Sequence, residues 1–162
     1  MPSRSCLFCP YRAHKMNLLS NPSFAPYVVT CVVLCCNLLF LWIYSGVTRG
    51  KFNSTPNTED AARFGASLAP IEPPEIARVL RAHSNAQASI YPFLALGLIY
   101  VLEAGTPVLG TAYFAIFCSA RLLHSYAYLN AKQPWRTVFF LTAFLTTLAL
   151  MVSVLWLLVA EK

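Results

Sequence analysis

Residues 26–47 read PYVVTCVVLCCNLLFLWIYSGV, an apolar run interrupted by only three clearly polar side chains, Thr30, Asn37 and Ser45. Because a helix of about 20 apolar residues crosses the hydrocarbon core of a bilayer, this stretch predicts a membrane-spanning helix. The run is longer than the apolar core of a signal peptide, and the basic residues of the preceding segment lie well upstream. We therefore expect the span to be retained rather than cleaved.

Three further stretches have the apolar character and length of a membrane span, at residues 84–102, 109–129 and 137–160. Lipid offers no hydrogen-bond partner to an unpaired backbone, so all four spans should be helices. The turn sequences at 103–107 and 130–134 are short enough to make the helices that they join antiparallel neighbours. The chain is thus predicted to be all-α, an integral membrane four-helix bundle with up-down-up-down topology.

The composition of the 162-residue chain agrees with a membrane protein: 57% of its residues are hydrophobic, 11% are charged, and the mean hydropathy is +0.57. Globular chains are about 45–50% apolar and about 25% charged, and a small domain leaves much of its surface exposed. A soluble monomer is therefore excluded. We expect a disordered leader over residues 1–22, a membrane domain over residues 23–162, and within it an extended, proline-rich loop with one helical turn over residues 48–80.

The charge balance is basic, with 12 Lys and Arg against 6 Asp and Glu. In a soluble protein this balance would indicate a nucleic-acid partner, but here the basic residues flank the apolar runs, so no such partner is expected. The positive-inside rule predicts that the first and third connections are cytoplasmic and that both termini lie outside, in a bacterial inner membrane or the endoplasmic reticulum. Those two connections carry Arg49, Lys51, Arg63, Arg78, Arg81, Lys132 and Arg136.

The six cysteines do not indicate a disulfide framework or a metal site. Four of them lie inside apolar runs, where cysteine behaves as a small hydrophobic residue. Cys6 and Cys9 form a C-x-x-C pair with no second pair beside it, and a structural zinc site needs about four ligands. We therefore expect no bound metal.

Polar side chains enter the second span, where such residues are costly and usually functional. Arg78, Arg81 and Asn85 have the i, i+3, i+7 spacing that places side chains on one helical face. The structural alternative is that the two arginines only mark the interface and extend their charged ends towards water.

The third span carries a second polar face, formed by Arg121, His124, Ser125 and Tyr128. These four share an arc of about 60–100° on a helix. Arg121 is about two turns inside the span, with no acid nearby in its own helix. Structural alternatives exist for its neighbours, since His124 can bond between helices and Tyr128 can belong to an interfacial aromatic belt. Asn37, on the first span, is most simply a helix–helix contact.

Both polar faces lie at the predicted cytoplasmic ends of their helices. The first span ends there with Arg49, and the fourth begins there with Arg136 and Thr137. Arginine binds carboxylates bidentately through its planar fork. The convergence of four such helix ends favours an anionic, hydrogen-bonding ligand held at the lipid boundary.

Together these stretches resemble the membrane-associated eicosanoid and glutathione metabolism (MAPEG) family, across residues 25–160. The matching motifs are LRAHSN at 80–85, IYPFL at 90–94, R-x-x-H-x-x-A-Y-L at 121–129, P-x-R-T at 134–137 and N-x-E-D-A at 57–61. The resemblance implies a homotrimer of four-helix subunits, with glutathione bound between neighbouring subunits near the cytoplasmic face.

The resemblance also implies roles for individual residues. Arg136 would stabilise the glutathione thiolate, Thr137 takes the position of a family serine proposed to assist the thiol, and Asp60 that of an aspartate implicated in catalysis. The chain departs from the family at Ala88, where a glutamate is usual. The residues that the resemblance places around the tripeptide are Arg49, Arg81, Asn85, Arg121, His124 and Tyr128.

The leading hypothesis is a glutathione-dependent membrane transferase, peroxidase or isomerase that acts on a lipophilic electrophile entering from the bilayer. The alternative is a non-catalytic membrane protein of the same fold that binds a lipid or a partner protein. A third hypothesis is a small channel or transporter subunit.

Overall fold

The computed structural model describes residues 21–160, which are largely helical. Two short strands, β1 (Ser54–Thr55) and β2 (Ser67–Leu68), pair in parallel. The predicted leader lies outside the described residues except for Asn21 and Pro22, and the Cys6–Cys9 pair lies outside them altogether. The helices are α1 (Phe24–Phe52), α2 (Thr58–Phe64), α3 (Pro74–Leu102), α4 (Pro107–Leu129) and α5 (Trp135–Ala160).

Helices α1, α3, α4 and α5 are long and apolar enough to cross a membrane, which confirms the predicted all-α membrane fold. The middle of the bundle is formed by α3 and α4, because each packs against the other and against both α1 and α5. Short connections make consecutive helices antiparallel. The C-terminal ends of α1 and α4 therefore lie at the same end of the bundle as the N-terminal ends of α3 and α5.

The extended loop predicted for residues 48–80 is wrong over much of its length. Helix α1 continues to Phe52 and closes on Asn53, whose backbone is left-handed with φ of 43°. Helix α2 follows, and α3 already begins at Pro74, well before residue 84. Proline at the first helical position lacks only an N–H that has no partner within the helix. Pro74 therefore starts a helix at a position where a loop was predicted.

Aromatic packing sets the register of α3 against α4. The rings of Phe93 and Phe117 stack almost parallel with their centroids 3.6 Å apart, and Phe114 meets Phe93 edge-on at 6.1 Å. In the turn that joins the two helices, a Cβ added at Gly105 would overlap the Tyr100 ring. Only glycine allows this close approach, and the tight turn holds together the two helices that carry most of the predicted site.

Candidate functional site

Five of the predicted site residues converge between α3, α4 and α5, and we call them the polar cluster: Asn85, Arg121, His124, Tyr128 and Arg136. Helix α4 contributes three of them from one face, as their i, i+3, i+7 spacing predicts. Asn85 comes from α3, and Arg136 lies in the first turn of α5. The polar face of α4 is thus turned into the bundle and away from lipid.

Arg121 lies at the centre of the polar cluster and is fully buried, with 0% of its surface exposed. Its Nη2 atom donates a hydrogen bond to Asn85 Oδ1 at 3.1 Å. Its Nε and Nη1 atoms are buried and have no partner within residues 21–160, and the salt bridge in that part of the chain involves other residues. Since a buried charge is costly unless paired, Arg121 presents two free donors and an uncompensated positive charge.

His124 adds a second unsatisfied group on the same helix face. The residue is only 2% exposed, and its Nδ1 atom has no hydrogen-bond partner in the described part of the chain. Its ring packs between aromatic neighbours, with centroids 5.6 Å from Tyr128 and 6.3 Å from Phe140. The interhelical hydrogen bond offered as a structural alternative is therefore not formed at Nδ1.

Arg136 is held in place by two neighbours at the start of α5. Its Cζ atom lies 4.8 Å from the centroid of the Tyr128 ring, within the range of a cation–π contact. With its amide oriented to satisfy both neighbours, Gln133 accepts hydrogen bonds from Arg136 Nη2 at 2.8 Å and Nε at 3.2 Å, and donates one to Thr137 Oγ1 at 3.2 Å. Gln133 therefore orients both predicted catalytic side chains of α5.

A recess of about 310 Å³ opens beside the polar cluster between α3 and α5. Asn85 and Arg121 line its polar part. A volume above about 300 Å³ is typical of small-molecule sites, and a buried cation beside apolar walls suits a ligand with both anionic and apolar groups. The other lining residues are Ala88, Ser89, Pro92, Phe140, Phe144 and Thr147.

Arg49 and Asp60 lie outside the polar cluster, in a second recess of about 330 Å³ formed by α1, α2 and the segments that join them. Arg49 forms a salt bridge with Glu72, in which both Nε and Nη2 donate to Oε1. Asp60 accepts a hydrogen bond from Asn57 Nδ2 at 2.9 Å. The recess of Arg49 and Asp60 therefore shares no lining residue with the recess of Asn85 and Arg121.

Arg81 joins neither recess. Its side chain is exposed, and within residues 21–160 no hydrogen bond or ion pair engages it. The same part of the chain has no group of three His, Cys, Asp or Glu residues placed to hold a metal ion. The polar cluster contains two arginines, whose groups are hydrogen-bond donors, so it is suited to the acceptor groups of a ligand.

Two residues that contact predicted site residues were not predicted from the sequence. Gln133 contacts Arg136 and Thr137, and Glu72 contacts Arg49. Gln133 precedes Arg136 and Thr137 by three and four residues, and this spacing at a helix start is the signal that indicates their contact. Glu72 carries no comparable signal, because it contacts Arg49 across the chain. The prediction for Asn37 is confirmed, since its Nδ2 atom donates to the hydroxyl of Ser125 on α4 at 3.1 Å.

Comparison with known proteins agrees with the fold. The model of the MAPEG family matches residues 27–156. Prostaglandin E synthase from Homo sapiens is 30% identical over 145 residues, which are 89% of this chain and 95% of the relative. The prostaglandin E synthase of Equus caballus is 32% identical over 130 residues, covering 76% and 85% of the two chains.

A relative with a different name matches over a similar length. Microsomal glutathione S-transferase 1 from Rattus norvegicus is 32% identical over 140 residues, which are 82% of this chain and 89% of the relative. The family match begins in the first turn of α1, ends near the end of α5 and includes the whole polar cluster. The chain therefore belongs to the MAPEG family.

Proposed function

We propose that this protein is a glutathione-dependent membrane enzyme, a transferase, isomerase or peroxidase that acts on a lipophilic electrophile. The observation that carries the proposal is the polar cluster, where a fully buried arginine and a histidine have nitrogen atoms without a partner among residues 21–160, beside a partly apolar recess. Membership of the MAPEG family supports it, as do relatives named prostaglandin E synthase and microsomal glutathione S-transferase 1.

Glutathione carries the negative charges and hydrogen-bond acceptors that would pair with the donors of the polar cluster. One of its two carboxylates would accept hydrogen bonds from Nε and Nη1 of Arg121, and its peptide groups would bond with Asn85, His124 and Tyr128. A charge-assisted hydrogen bond contributes about 1.5–3 kcal/mol, and an anion placed here would also neutralise the buried cation. Arg81, which lies on the exposed face of α3, would bind a carboxylate at the entrance.

In the proposed reaction, Arg136 stabilises the thiolate of glutathione. A nearby cation favours the ionised form of a thiol, so the sulfur loses its proton to solvent and attacks the electrophile. In a transfer reaction, the new carbon–sulfur bond forms as the leaving group departs with its bonding electrons. The Thr137 hydroxyl, which accepts from Gln133, keeps its own proton to donate towards the sulfur.

In a homotrimer, Arg49 and Asp60 of one subunit could lie beside the polar cluster of the next and take part in the same reaction. Within one chain they lie in a recess separate from the polar cluster. If neighbouring subunits meet at these surfaces, the α1–α2 recess of one copy completes the site of the next. We place this site on the cytoplasmic face, with both termini outside, because the basic residues flank that end of the helices.

Binding of glutathione and turnover are tested separately with the purified protein in detergent. Glutathione should raise Tm, and so should an analogue with a methyl group in place of the thiol. Only glutathione should support conjugation of a chloronitrobenzene or reduction of a lipid hydroperoxide. If glutathione leaves Tm unchanged, the proposal fails. Stabilisation by both peptides without turnover of any substrate would instead favour the non-catalytic alternative.

Gln133 gives a sharper test of the proposed mechanism. Gln133→Ala should lower kcat about tenfold, because Arg136 loses two hydrogen bonds and such bonds to a charged group contribute about 1.5–3 kcal/mol. The affinity for glutathione should change less, since Arg121 is untouched. Gln133→Glu keeps an oxygen acceptor for Arg136 but adds a negative charge, so the pH–rate profile should move to higher pH. Arg63→Ala, an exposed cation on α2, is the control, and an equal loss in that variant would contradict the prediction.

A further inference from the structure

A third recess lies outside the polar cluster. This groove, of about 570 Å³, lies between α1 and α4, and no member of the polar cluster lines it. Its walls are largely apolar, with Val33 and Phe40 on α1 and Leu122 and Leu129 on α4. Phe40 is 53% exposed and Leu122 is 41% exposed, so the groove opens sideways towards the hydrocarbon of the bilayer.

The polarity of the groove changes along its length. Its floor contains the buried hydrogen bond between Asn37 and Ser125, whose groups are already paired. Tyr126 and Asn130 line the end of the groove where α4 stops. Tyrosine side chains favour the boundary between hydrocarbon and headgroups. The groove therefore extends from the headgroup level into the hydrocarbon layer.

A cation lies at the headgroup end of this groove. Lys132 Nζ donates to the Tyr126 hydroxyl at 3.3 Å and lies 5.0 Å from the centroid of the same ring. The salt bridge within residues 21–160 joins Arg49 to Glu72, so Lys132 has no carboxylate partner there. An apolar channel with an unneutralised ammonium at its interfacial end matches a molecule with a long chain and an anionic head.

We propose that the groove between α1 and α4 binds one acyl chain of an anionic phospholipid, whose phosphate is held by Lys132 beside Tyr126. Basic pockets between membrane helices are suited to anionic headgroups, because charge attraction adds to the burial of the chain. A zwitterionic phospholipid of the same chain length would fill the groove without a net attraction to Lys132. The site is independent of the proposed glutathione reaction.

The test uses the full-length protein after removal of bound lipid. Dioleoyl phosphatidylglycerol, dioleoyl phosphatidylcholine or inorganic phosphate is added, and the bound lipids are counted by native mass spectrometry. Phosphatidylglycerol should bind about fivefold more tightly than phosphatidylcholine, the factor expected for one cation near an anionic surface. Lys132→Gln should remove this preference, and Cys36→Trp, which fills the groove, should reduce the binding of both lipids.

Matched variants separate the groove from the rest of the surface. Lys51→Gln removes an exposed cation at the same end of the bundle, and Cys35→Trp adds the same bulk outside the groove; both should bind lipid like the wild type. Equal affinity for the two lipids, or a preference that survives in both Lys132→Gln and Cys36→Trp, would show that the proposal is wrong. The proposal would also be wrong if inorganic phosphate alone saturated the site. It would be wrong as well if a groove variant changed the number of subunits but left the number of bound lipids unchanged.

Discussion

Replacing Arg121 by methionine should abolish the stabilisation by glutathione and leave the ligand-free protein at least as stable as the wild type. The guanidinium is fully buried, and within residues 21–160 its hydrogen-bond partner is Asn85. Burying an uncompensated ion costs several kcal/mol, of the order of 3–5 when a pair is broken, and an apolar side chain of similar length avoids that cost. Loss of the charge-assisted bonds to a carboxylate should weaken glutathione binding at least about 100-fold.

Thermal unfolding in detergent, with and without glutathione, measures both parts of this prediction. Arg121→Lys keeps the charge without the planar fork and should bind about tenfold less tightly than the wild type. Asn85→Asp places a carboxylate beside Nη2, so it should raise the Tm of the free protein and weaken binding. Arg63→Met, on exposed α2, should change neither quantity. A ligand-free Arg121→Met protein that is less stable but still stabilised by glutathione would show that Arg121 has only a structural role.

Arg136→Gln should lower kcat about 10²–10³-fold, the usual loss when a group that stabilises developing charge is removed. The affinity for glutathione should change by less than about fivefold, because the interaction belongs to the reacting sulfur and not to the rest of the tripeptide. Without the cation, the pKa of the bound thiol stays higher. The pH–rate profile for conjugation should therefore move to higher pH.

Ultraviolet absorbance of the bound thiolate measures how far Arg136 lowers the pKa of the thiol, and it needs no turnover. Arg136→Lys keeps a cation but loses the bidentate contact with Gln133, so it should retain part of the thiolate signal. Thr137→Val removes a hydroxyl that donates towards the sulfur but leaves the cation, so it should retain part of the thiolate signal and lose about tenfold in rate. If Arg136→Gln forms as much thiolate as the wild type, another residue activates the sulfur.

The membrane helices and the main face of the site could be predicted from the sequence because each is a local pattern. An apolar run of the right length specifies a span, and the spacing of Arg121, His124 and Tyr128 specifies a common face. Their burial against α3 and α5 follows from the high cost of exposing such groups to lipid. A regular helix keeps its faces aligned over many residues. The sequence therefore predicted that the five residues of the polar cluster, which come from three helices, lie close together.

The region between α1 and α3 could not be predicted in the same way. Prolines start helices as readily as they interrupt them, so the proline-rich segment gave no unique structure. The salt bridge of Arg49 with Glu72 depends on how the chain returns after α2, and no local pattern encodes that path. The separation of Arg49 and Asp60 from the polar cluster is likewise a property of the folded chain. Their proposed roles depend on a homotrimer in which a neighbouring subunit brings them to the polar cluster.

The lengths of the helices have a consequence for how reaction rates should be expressed. Helices α1 and α3 have 29 residues each, or about 43 Å at 1.5 Å per residue, and a bilayer has a hydrocarbon core of about 30 Å. These two helices are therefore long enough to extend beyond the hydrocarbon, and under the proposed function the recess beside Arg121 would lie near that boundary. A water-soluble peptide and a lipophilic electrophile would reach this boundary from different phases. The concentration that governs the second substrate is then its mole fraction in the membrane, not its amount per volume of solution.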